Sequence, residues 1–146
     1  MIVLAIAGLI MVVVFLAIPQ LQRSQRNNAR EAVMNRVAAE VNNYASNNSG
    51  AIPTMNNNAT TGFVGTTGGF YVRYINSNAS SFTDPSTGST MTFVAWTADN
   101  AVTTSSTVYY ASGRSCSGEA SVAASGRNFV IMTQLEGGAI YCLDNR

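Results

Sequence analysis

Eighteen residues at the front of the chain carry no charge, no amide and no hydroxyl: Met1, Ile2, Val3, Leu4, Ala5, Ile6, Ala7, Gly8, Leu9, Ile10, Met11, Val12, Val13, Val14, Phe15, Leu16, Ala17 and Ile18. As a helix rising about 1.5 Å per residue they span roughly 27 Å, just short of a bilayer's hydrocarbon core. Such a stretch anchors the chain, is cleaved off, or packs against copies of itself. A cleavable signal needs a basic front, a shorter apolar core and small residues at the cut. Here the front is bare Met1 and the exit reads Ala17-Ile18-Pro19-Gln20. A permanent hydrophobic helix is expected.

The polar side that follows is also expected to be helical. From Leu21 to Tyr44 there is no glycine and no proline. Leu21, Ala29, Ala32, Val33, Val37, Val41 and Tyr44 recur at spacings of three and four, with Met34, Ala38 and Ala45 beside them. They form one apolar stripe. Arg23, Arg26, Arg30, Glu31, Arg36 and Glu40 are assigned to the other side, where Glu40 stands four residues after Arg36 and can pair with it. Asn47-Asn48-Ser49-Gly50 supplies a stop, with Pro53 beyond. Residues 1–48 therefore read as one long helix, with Pro19 expected to kink or weaken it and Gly8 as a second weak point.

From residue 49 the texture changes to a β-rich head running to residue 146. Asn56–Asn58, Thr60–Gly62 and Thr66–Gly69 are loop material. Phe70–Ile75, Met91–Trp96, Thr107–Tyr110, Phe129–Thr133 and Ala139–Leu143 are strand-length runs of aromatic and β-branched residues. Asp84-Pro85-Ser86-Thr87-Gly88 is a turn, Leu135–Ala139 a hairpin loop, and Gly113–Gly126 a small-residue connection. With no crossover helix between strands, antiparallel pairing is expected. Five short strands make a thin core alone, and the stripe on the helix needs an apolar partner. Packing the sheet on the second half of the helix answers both needs and leaves the first half projecting. The fold class is α+β.

Composition excludes several chemistries. There is no histidine and no lysine, so the commonest general base and metal ligand is missing, and Lys-based Schiff-base or isopeptide chemistry with it. Charged residues make up 10% of the chain against roughly 25% in ordinary soluble domains, and the net charge is +1. Nothing there favours nucleic acid, and four arginines without interleaved aromatics do not either. Asp84, Asp99, Glu119, Glu136 and Asp144 lack metal-loop or paired-carboxylate spacing and read as turn caps or surface charges. The serines have no histidine partner and no nucleophile elbow. Asn47, Asn58 and Asn78 open Asn-x-Ser/Thr sequons. Tyr71, Tyr74, Tyr109 and Tyr110 read as core before they read as an adhesive surface. Cys116 and Cys142 would be free thiols in a cytosolic chain; behind a membrane-length segment they read as a disulfide. No catalysis, cofactor or metal is expected.

The uncharged helix with its glycine (Ile2–Gly8, IVLAIAG), the Ala17-Ile18-Pro19-Gln20 exit, the amphipathic continuation, the small sheet and the two late cysteines together resemble a type IV pilin. Leu21–Arg26 (LQRSQR), Thr133–Gly138 (TQLEGG) and Tyr141-Cys142 look more narrowly like pilins of ultrasmall episymbiotic bacteria. The resemblance implies the subunit of an extracellular filament used for adhesion, twitching motility or host attachment. The first helix half would lie in the inner membrane before assembly and in the filament core afterwards. The partners implied are other copies of the chain, the pilus assembly machinery, a prepilin peptidase and a host-cell surface. Gly8 to Pro19 would be the segment that loses helicity in the filament. The Cys116–Cys142 bridge would pin the C-terminal loop, and Arg23, Arg26, Arg30, Glu31, Arg36 and Glu40 are candidates for charge pairs between subunits. Pilins carry a basic leader and usually a Phe-Thr start followed by a glutamate. Met1 is therefore expected to stand downstream of the mature first residue, with the assembly glutamate on no residue of this sequence.

One conflict accompanies this reading. Arginines just after a span would by themselves hold the head in the cytoplasm. The cysteines and the Ser/Thr-rich body point the other way, and a basic segment upstream would outweigh the arginines. The rival readings are a pseudopilin of a secretion or DNA-uptake machine, and a single-span anchored receptor or enzyme.

Overall fold

The structure is a computed structural model that describes residues 1–54, 69–97 and 101–146. The Asn56–Asn58 and Thr60–Gly62 loops, the start of Thr66–Gly69, the Asn58 sequon and Asp99 lie outside the described residues.

Helix α1 runs from Ile2 to Asn47 as one helix. Pro19 lies inside it and has no N–H for the Phe15 carbonyl, yet it removes that hydrogen bond without ending the helix. The stop comes where the Asn-Asn-Ser-Gly run stands: Ser49 and Gly50 take positive φ, and the Gly50 N–H donates to Ala45 O at 2.7 Å.

The head is a four-stranded sheet of β1 (Thr92–Ala95), β2 (Thr107–Ser112), β5 (Phe129–Gln134) and β6 (Ile140–Asp144) in the order β1-β2-β5-β6. A separate hairpin pairs β3 (Arg114–Ser117) with β4 (Ala120–Ala123). Strands β2, β5 and β6 are antiparallel neighbours, as expected, whereas β1 lies parallel to β2 with Phe93 opposite Val108. A parallel neighbour needs a connection of about a dozen residues, and roughly that many separate Ala95 from Thr107 in the sequence.

Alternation along β2 and β5 sends Val108, Tyr110, Phe129 and Ile131 toward α1, where they meet Val33, Met34, Val37 and Val41 in the main core. The other face holds Tyr109, Ala111, Val130 and Met132 in a second cluster with Val102, partly covered by Trp96, Cys116 and Cys142. Both faces are thus buried, which is why these strands read as continuous apolar runs.

Two segments depart from the sequence reading. Phe70–Ile75 is not a strand: Tyr71–Ile75 is a short π-helical turn continued by a 3-10 turn over Asn76–Ser81. Its rings obey an i, i+4 spacing, so Phe70 and Tyr74 stack at 5.6 Å and both meet Tyr44 edge-on, at 5.6 and 5.7 Å. The Gly113–Gly126 connection contains the β3–β4 hairpin, and Cys116 on β3 is bridged to Cys142 on β6 with Cα atoms 5.9 Å apart.

Candidate functional site

Two features stand out, one directly above the other on α1. Residues 1–25 are all exposed, and the most apolar 18-residue window of the helix has none of its residues buried. Val14 keeps 48% of its surface accessible and Ile2 77%. Folded monomers seldom leave contiguous apolar patches beyond a few hundred Å² uncovered. The helix is long and apolar enough to cross a membrane. Gly8 has open space where a side chain would stand, so neither it nor Pro19 is tied to the head.

Where the head begins, the helix is fastened by charge. The Arg26 guanidinium donates from Nε and Nη2 to the two carboxylate oxygens of Glu136, both at 2.7 Å. Arg30, 1% exposed, donates to Asp84 Oδ1 at 2.9 Å and Glu136 Oε1 at 3.0 Å, and to the Ser86 hydroxyl. Asn27 holds the Glu136 backbone from both sides, its amide donating to the carbonyl at 3.2 Å and its Oδ1 accepting from the N–H at 2.9 Å. The Leu135–Ala139 turn offers Glu136 to the helix because Gly137 and Gly138 take positive φ and the Leu135 N–H closes on Ala139 O. Asp84, 1% exposed, accepts from the Ser86 N–H as a turn residue does. The Arg26 hydrogen bond, helped by Ser86 and Arg30, draws the Glu136 carboxyl down to about 2 against the opposing effect of desolvation.

This corrects the assignment of the charges. Arg30 is not on the polar side of α1; it shares the buried face with Val33, Met34, Val37 and Val41. Arg26 and Arg30 find their carboxylates within the chain, on Glu136 and Asp84, rather than on Glu31 and Glu40. Arg36 does not pair with Glu40 either; it donates to Ser81 O at 3.1 Å, and Glu40 accepts from Asn43 at 3.3 Å. Leu21, Ala29 and Ala32 of the expected stripe are exposed. Among the described residues no ion pair engages Arg23, Glu31 or Glu40.

A groove of about 540 Å³ opens beside this joint, between α1 and the β5–β6 turn, lined by Gln20, Arg23, Ser24, Asn27, Asn28, Glu31, Leu135 and Glu136. Below it the bare helix surface past Val13, Val14, Ala17, Ile18 and Leu21 is almost wholly apolar. On the far side of the head the Arg114 guanidinium lies 4.6 Å from the Trp96 ring and is held by Ser121, a pair that sequence reading did not single out. Tyr109 and Tyr110 are buried, and Tyr110 donates to Pro53 O at 2.7 Å, with burial raising its pKa. Tyr71 and Tyr74 pack against the main core. No protein-family model, curated protein or solved structure matches this chain.

Proposed function

We propose that the chain is the structural subunit of a type IV pilus-like filament, polymerising through Met1–Ile18 into an extracellular helical fibre. It does no chemistry of its own. The observation that carries this reading is the division of α1. The head covers one face of the half from Arg26 onward, through Arg30, Val33, Met34, Val37 and Val41, and leaves everything before it bare.

The physics of assembly follows from that division. In a bilayer the bare half is satisfied by lipid, and helices there gain little by meeting each other. Outside lipid the same surface must be covered, and each Leu, Ile, Val or Phe buried against another copy contributes roughly 1.5–3 kcal/mol. Many positions per subunit hold a fibre together without covalent links. Anchor and polymerisation element are one helix at two stages. The Cys116–Cys142 bridge supports a head on the oxidising side of the membrane. The inner membrane, the assembly machinery, a prepilin peptidase and an adhesion target on a host surface are the partners this function needs.

The test is Val14→Asp. One charge within the apolar half leaves the span insertable, at no more than the roughly 2.5–3.5 kcal/mol of a central position, but puts a carboxylate where copies must pack dry. Surface fibres should vanish while the head keeps its disulfide and the protein still fractionates with membranes. Normal fibres from this variant would sink the proposal. A chain that never leaves the membrane fraction, wild type included, would favour the single-span anchored domain instead.

A further inference from the structure

We propose that Arg23 of one copy pairs with Glu31 of a neighbouring copy in the fibre, and that this pair sets the axial stagger between adjacent helices. The inference rests on the polymerisation reading and names its polar contact.

Elimination within the chain comes first. Of the charges on α1, Arg26 and Arg30 are ion-paired with Glu136 and Asp84, while Arg36 donates to the Ser81 carbonyl and Glu40 accepts from Asn43, both outside the polar groove. Arg23 and Glu31 are opposite in sign, and among the described residues no ion pair engages either of them. They cannot satisfy each other, because eight residues of helix separate them by about 12 Å. Both line the polar groove beside the joint, at the boundary where the bare apolar half gives way to the covered half. When bare halves of parallel helices pack, this boundary is the first polar level a neighbour meets.

Helix geometry then fixes the arrangement. Eight residues at about 100° each leave Arg23 and Glu31 roughly 80° apart around α1. A contact that reads one face on one copy and a different face on the next is heterologous, the kind that generates open helical fibres. Sliding a parallel copy along the axis by about 12 Å brings its Arg23 level with its neighbour's Glu31. The groove between α1 and the β5–β6 turn gives the pair a partly enclosed setting, where such a contact is screened less than on open surface.

The experiment compares fibre yield in material sheared from cells making the full chain as wild type, Arg23→Glu, Glu31→Arg, and the double reversal. Coupled contacts carry about 0.5–3 kcal/mol, and 1.4 kcal/mol is tenfold in an equilibrium. Each single reversal should cut sedimentable fibre about tenfold or more, and the double reversal should return most of it. Monomer recovery and the Cys116–Cys142 bridge should be unchanged throughout, since neither residue holds the head. Single variants at wild-type yield, or a double reversal no better than the singles, would overturn the pair while leaving polymerisation intact. Loss with Arg23→Glu that Glu31→Arg fails to rescue would assign Arg23 to lipid headgroups instead. Absence of fibres from the wild type would overturn both.

Discussion

Arg30 occupies a place in α1 that packing alone would give to a methionine or leucine. Its guanidinium is removed from water, and one nitrogen, Nε, is buried without a hydrogen-bond partner. Burying an ion pair often does no better than an apolar pair of the same volume, but removing one partner from a buried pair costs about 3–5 kcal/mol. Asp84→Ala should therefore lower the unfolding free energy of the full chain in detergent by about that amount, read from urea denaturation. A loss below about 1 kcal/mol would mean that Asp84 is not what holds the buried Arg30 in place. Glu136 gives a second readout through pH. Its carboxyl is drawn from the ordinary 4.5 to about 2 in the folded chain, chiefly by Arg26. A depressed carboxylate binds fewer protons folded than unfolded. Its contribution is complete above about pH 4.5 and is lost as pH falls through 2. The melting temperature of wild type should exceed that of Glu136→Gln by a constant margin above about pH 5, and the two curves should converge toward pH 2. Parallel curves across that range would contradict the pairing.

At the scale of elements, the β3–β4 hairpin has little apolar substance of its own and is held over the outer face of the sheet by Cys116–Cys142, the 2.7 Å bond from Cys116 N–H to Asp144, and Arg146 on Ser115. A bridge across 26 positions contributes about 3–4 kcal/mol in the chain-entropy picture. Reduction should lower stability by that much and release amide protection in Arg114–Ala123 before the main sheet; uniform loss of protection would contradict a separately held hairpin. The same hairpin explains what the sequence could not display. Arg-Ser-Cys-Ser and Ala-Ser-Val-Ala carry no apolar alternation, so pairing there depends on a bridge and a sheet brought together from elsewhere. The parallel β1–β2 pairing is non-local in the same sense. Phe70–Ile75 was misread for a different reason: β-forming composition outweighed the i, i+4 spacing of its rings. Helix α1, by contrast, was legible almost to the residue, because Pro- and Gly-free periodicity and the Asn-Asn-Ser-Gly stop are local. So was its bare first half. The joint was half legible: residue type sent Arg30 to the polar face, although its spacing to Val33, Met34, Val37 and Val41 marks the buried one.

Taken whole, the molecule is a rod partly sheathed at one end. Its 46-residue helix is about 69 Å long, and the head covers it only from Arg26 onward. The charged joint sits at the edge of that cover, so the direction in which the bare half leaves the head is fixed by hydrogen-bonded ion pairs that resist sliding better than apolar contact. In the proposed fibre every copy must present its bare half at the same angle, and such a fixed exit would provide that. The most direct measurement is electron microscopy of material sheared from cells producing wild type or Val14→Asp, with the subunit identified in the fibres. Wild type should give thin fibres built of this chain, and the variant none. Wild-type chain that remains monomeric in the membrane, or fibres that persist in Val14→Asp, would contradict it.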